Sequence, residues 1–149
     1  MKRKQPIKIL FRLPPEAWHG SGTETLWAEE AGPGRYRLRN SPFYAFGVSV
    51  NDIVFAEYGP DGLEFKGVSL KGGHSTYRTI VGKDVPAMKV SQAWAPLQQL
   101  GCSYEEGDGR LRSIDVPPQA DIHRVYDLLA EGEKAGVWDF DEGNCEHPV

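Results

Sequence analysis

The chain has 149 residues, 40% hydrophobic and 26% charged, with a formal net charge of −4. That length suits one ordinary domain or two very small ones, with enough apolar content for a core. No run of about 18 apolar residues occurs, which argues against a helical membrane span, and the basic start Met1-Lys2-Arg3-Lys4 lacks the apolar stretch of a signal peptide, so the chain reads as cytoplasmic.

Strand signals dominate residues 1–73. Ile7–Leu13 is the first, closed by Pro14-Pro15, and Thr23–Glu29 is the next. Gly32-Pro33-Gly34 marks a turn, because Gly supplies positive φ and Pro fixes φ. Arg35-Tyr36-Arg37-Leu38-Arg39 alternates strictly, placing the arginines on one face and Tyr36 and Leu38 on the other. Tyr44, Phe46, Val48 and Val50 keep that period of two and predict a further strand, ending at an Asn51-Asp52 turn. Ile53–Tyr58 and Leu63–Leu70 flank Gly59-Pro60-Asp61-Gly62, a hairpin signal. Short strands with Gly/Pro turns predict a small β-barrel or strongly curled antiparallel sheet.

The rhythm changes at Lys71-Gly72-Gly73-His74, read as a hinge between two packed halves, 1–73 and 74–149. Ser75–Val81 reads as a strand. Asp84 is placed to cap a helix on which Val90, Ala93, Trp94 and Leu97 share one face, and Pro96 is expected to kink or restart it. Cys102–Glu106 and Arg110–Val116 form a hairpin around Gly107-Asp108-Gly109. Asp121 caps a second helix carrying Ile122, Val125, Tyr126 and Leu129; Gly132 weakens it and Gly136 ends it. Val137–Phe140 closes the series. Strand, helix, strand, strand, helix, strand is the order of a ferredoxin-like split βαβ, so the fold class is α+β.

Little chemistry is announced. Cys102 and Cys145 lack CxxC partners and read as buried free thiols. Cys145-Glu146-His147 offers too few ligands for zinc and reads as a frayed terminus. Ser41, Ser75 and Ser91 sit in no nucleophile motif. Gly73, His74, Ser75 and Thr76, after Gly72, form a candidate anion or ligand site built on exposed backbone N–H groups, although the hinge reading is simpler. No catalytic residue, metal or cofactor is expected.

The charge is lopsided. Residues 1–73 sum to +2 and residues 74–149 to −6. An acidic second half disfavours nucleic acid and favours a basic partner. The candidate contact residues are Glu105, Glu106, Asp108, Asp139, Asp141 and Glu142, with Trp18 as an aromatic anchor. Arg35, Arg37 and Arg39 could instead make a basic stripe for RNA, although a solvated strand face explains them as well.

Several pieces in order carry a family likeness: Ile9–Pro15, Glu24–Glu29, Gly34–Leu38, Asn40–Ser49, Gly73–Arg78, Leu100–Cys102 and Asp115–Pro118. On these the chain resembles a bacterial family of uncharacterised proteins, the domain-of-unknown-function family 4265. The resemblance implies no activity, cofactor or site residue. The expectation is therefore a non-catalytic, protein-binding protein, such as an immunity protein neutralising a basic bacterial toxin. A regulatory or small-ligand-sensing module is the alternative, and an RNA-binding factor the second.

Overall fold

The computed structural model describes residues 6–14, 16 and 20–149. Five strands come first: β1 Ile7–Arg12, β2 Thr23–Glu30, β3 Arg35–Leu38, β4 Ile53–Gly59 and β5 Gly62–Leu70. Antiparallel pairings join them in sequence, and β1 pairs β5 in parallel through Leu10 and Glu64, so the pairings close into a ring. Alternation does the sorting. Leu26 and Ala28 of β2 point inward and are buried, whereas Trp27 between them points out. Ile9, Phe11, Leu38, Val54 and Ala56 fill the interior from the other strands.

The expected strand through Tyr44, Phe46, Val48 and Val50 does not form. Residues 39–52 are a loop, and Ala45 and Val48 drop from it into the ring's core. The physical reason is a competing set of acceptors. The Glu24 carboxylate takes the backbone N–H groups of Phe43, Tyr44 and Ala45 at 2.6, 3.0 and 2.9 Å, leaving none of the three for a ladder. Gly47 at φ 82° and Asn51 at φ 70° then bend the chain through left-handed backbone that a strand does not use.

The second half holds β6 Ser75–Val81, α1 Ala87–Gln99, β7 Ser103–Glu106, β8 Leu111–Val116, α2 Ile122–Lys134 and β9 Trp138–Asn144. Its sheet runs β7-β8-β6-β9, with all neighbours antiparallel. Both helices cover one face, burying Tyr77, Ile114 and Trp138 against Val90, Leu97, Val125 and Leu129. Asp121 caps α2 as expected, accepting from the N–H groups of His123 and Arg124. Asp84 does not cap α1. That helix begins after Pro86, beyond reach of the Asp84 carboxylate as a cap, and has no side-chain cap. Pro96 neither stops nor restarts it: α1 runs through to Gln99. The proline removes only the donor due to the carbonyl of Gln92, an exposed residue whose oxygen water can serve. Gly132 lies where α2 crosses Trp138: a Cβ there would meet the indole at 2.5 Å.

Candidate functional site

The two sheets meet along a polar seam. The turn at Asn51 and Asp52 begins it: Asp52 accepts the Ser49 N–H at 3.0 Å and the Gly72 N–H at 2.9 Å. Gly73 N–H donates to Glu146 at 2.8 Å, and the other Glu146 oxygen accepts from Asn144 at 2.7 Å. The Ser49 hydroxyl contacts Thr76 at 2.8 Å and accepts from Asn144 at 3.0 Å. The Gly72-Gly73 joint is thus pinned from both sides. Its N–H groups, offered by the sequence to an external anion, already hold two of the protein's own carboxylates. Asp52 is fully buried, and burial together with Glu146 beside it pushes its carboxyl up to about 7.

His74 and Ser75 are also committed. His74 Nδ1 lies 2.7 Å from Asp115, and its Nε2 lies 3.3 Å from the Asn51 amide. A neutral ring protonated at Nδ1 satisfies both contacts. Ser75 Oγ lies 2.6 Å from His147 Nδ1, and His147 Nε2–H donates to the Pro117 carbonyl at 2.8 Å. The spacing is that of a nucleophile and its base, but Ser75 is 0% and His147 8% exposed. The pair acts as a clasp. This corrects the frayed-terminus expectation: three hydrogen bonds to Ser75 and Pro117 hold the His147 segment, because Ser75 also accepts the Glu146 N–H at 2.9 Å. Cys102 is a buried free thiol pushed up to about 12 by burial, and Cys145 is free and half-buried. Among the described residues no three His, Cys, Asp or Glu side chains gather to hold a metal.

Beyond the seam, on the same sheet face, a cleft of about 190 Å³ is lined by Arg78, Ile80, Leu111, Asp139, Phe140 and Asp141. Arg78 is 3% exposed. One of its terminal nitrogens donates to the Ala45 carbonyl, and its guanidinium lies 4.9 Å from the Phe46 ring centre. Asp141 stands directly opposite it in register. Even so, Arg78 Nε has no acceptor and Asp141 Oδ1 no donor among the described residues. Burial pushes the Asp141 carboxyl up while Arg78 opposes the shift, and burial pulls Arg78 down while Asp141 and Glu24 hold it up. Leaving two such groups unmatched costs about 1–3 kcal/mol each.

The predicted contact acids do not gather. Glu105 and Glu106 lie on β7, Asp108 in the following turn, and Asp139, Asp141 and Glu142 on β9, at the opposite edge of the sheet. Glu106 pairs with Arg112 at 3.5 Å, and Glu142 accepts from the Tyr77 hydroxyl at 3.0 Å. Burial raises the Glu105 carboxyl, opposed by the Ser41 backbone. Trp18 lies outside the described residues. Arg78 was missed. Its signal was a charged residue in the middle of the apolar-flanked strand Ser75–Val81, five residues of which are buried.

The family model described as "Domain of unknown function (DUF4265)" matches residues 24–140. The chain belongs to that family. It spans both sheets and includes Glu24, Asp52, Arg78 and Asp115, but stops short of Asp141, Glu146 and His147. No curated protein matches this DUF4265 chain. It is similar to a solved structure titled "Novel crystal structure of a hypothetical protein from Neisseria gonorrhoeae", at 17% identity and a TM-score of 0.76 over 97% of each chain. At that identity the likeness shows the fold alone.

Proposed function

We propose that this DUF4265 protein is a non-catalytic ligand-sensing module whose ligand sits in the Arg78 cleft. The unmatched Arg78 Nε and Asp141 Oδ1, facing each other across β6 and β9, carry the reading. A small zwitterion with an apolar body, such as a free α-amino acid, presents a carboxylate to the guanidinium and an ammonium to the carboxylate. Ile80 and Leu111 then pack the body. The site lies two residues along β6 from the Gly73–Thr76 segment, so the ligand would stiffen the junction between the sheets. Thermal unfolding against the free amino acids tests this. A binder at one hundred times its Kd stabilises by about 2.7 kcal/mol. Asp141→Asn should abolish that shift while leaving the unliganded protein folded. A flat response across the panel sinks the reading.

A second reading, that of a neutralising partner for a basic toxin, draws on edge strand β9, where Asp139 and Glu142 are exposed. Charges on an open sheet edge also guard against strand addition, which is the simpler account. Reversing Asp139 and Glu142 without effect on any basic partner would remove it. We also read the ring as a small barrel and the second half as ferredoxin-like, on the β7-β8-β6-β9 order and the closed pairing.

A further inference from the structure

We propose that the outer face of the ring binds single-stranded nucleic acid, independently of the Arg78 cleft. The arginines that alternate along β3 all face away from the core. Arg35, Arg37 and Arg39 are spaced two residues apart, about 7 Å at strand rise. Arg35 stands opposite Phe55 in register, and Arg37 opposite Ile53. Arg39 N–H donates to the Trp27 carbonyl, which continues the pairing past the end of β3. A groove of about 410 Å³ runs alongside, lined by Arg37, Arg39, Ile53, Leu70 and Lys71 among others. Glu29 lies 3.7 and 3.8 Å from Arg37 and Arg39, and neutralises only part of this charge.

The second observation is aromatic. Phe55 is 46% and Trp27 44% exposed, and they flank the arginine row on β4 and β2. Lys8 lies 4.8 Å from the Trp27 ring centre and adds a further cation. Exposed rings interleaved with guanidinium groups on a sheet surface match a chain of phosphates carrying unstacked bases. An acidic peptide matches the charges but leaves the rings unused. The net charge of −4 does not oppose this, because the excess acid lies in residues 74–149.

Fluorescence anisotropy of a labelled twelve-nucleotide oligouridylate tests the proposal on the intact protein. Engaging three or four cations gives a log–log salt slope of roughly −2 to −3, so affinity should fall about 20- to 50-fold between 50 and 200 mM salt. The double variant Arg37→Ala/Arg39→Ala should flatten that slope by about 1.4. Phe55→Ala should weaken binding about fivefold or more and leave the slope unchanged. All three side chains are substantially exposed, and an unchanged thermal midpoint checks that the variants fold. No binding at 50 mM salt, equal binding by the variants, or equal binding of duplex or of polyglutamate would each overturn the proposal.

Discussion

Replacing Asp52 with asparagine should change how stability depends on pH more than it changes stability itself. In the wild type the carboxyl is buried beside Glu146 and its affinity for protons is raised from 3.8 to about 7. Between those limits the folded state holds a proton that the unfolded chain releases, so stability is greatest at low pH and falls as pH rises through about 7. At about 1.4 kcal/mol per tenfold change in proton affinity, the loss from pH 4 to pH 8 is on the order of 4 kcal/mol. Asparagine has no proton to lose. It keeps one carbonyl oxygen for the Gly72 or the Ser49 N–H and forfeits the other bond, at about 1 kcal/mol. Asp52→Asn should therefore be slightly less stable than wild type at pH 4, overtake it at about pH 4.5, and be roughly 3 kcal/mol more stable at pH 8. Urea unfolding at pH 4, 5, 6, 7 and 8 measures this. Asp115 and Asp141, also raised by burial, are present in both proteins and cancel in the difference. Parallel stability curves for the two proteins would refute the assignment of the shared proton to the seam.

Three further substitutions probe the scaffold. Glu24→Gln should cost about 2 kcal/mol in urea unfolding and speed hydrogen exchange at residues 43–45, since one amide oxygen replaces a carboxylate serving three N–H groups. Unchanged exchange there would mean that core packing of Ala45 and Val48 holds the loop. Gly132→Ala should lower the thermal midpoint by about 2 kcal/mol equivalent despite alanine's better helix propensity, because the Trp138 indole, tied to the Leu129 carbonyl at 3.0 Å, cannot move aside. A raised midpoint would show that the ring does move. Ser75→Ala should cost about 2 kcal/mol and expose the amides of residues 146–147 to exchange, since His147 Nδ1 and Glu146 N–H both lose their partner. Retained protection would place the clasp elsewhere.

Local pattern and tertiary context account for different parts of the structure. The nine strands and two helices among the described residues were mostly legible, because alternation, helical spacing and Gly/Pro turns are written within a few residues. Ile53–Gly59 and Gly62–Leu70 illustrate this around Gly59-Pro60-Asp61-Gly62. Residues 44–50 alternate just as well and fold otherwise. What decides them is a carboxylate some twenty residues upstream, and no window on the sequence contains both. The same limit hid the site. Sequence alone leaves His147 a loose end because its partners, Ser75 and Pro117, are 72 and 30 residues away. Acidic residues counted along residues 74–149 formed one group in sequence, yet β7 and β9 carry them to opposite edges of the sheet. Arg78 was the reverse case: an unremarkable position in sequence that becomes a buried charge once β8, β9 and the 39–52 loop surround it.

The ring is a belt with a single buckle. Its other neighbours share runs of three or more register pairs, whereas β1 and β5 share Leu10 with Glu64 alone, braced by Arg12 reaching Glu64 at 2.8 Å and Asp61 at 2.9 Å. Breathing of this half should begin there. The buckle can slip while Ala45 stays held by the Glu24 carboxylate on its N–H and by Arg78 on its carbonyl, so the bore need not flood when the belt loosens.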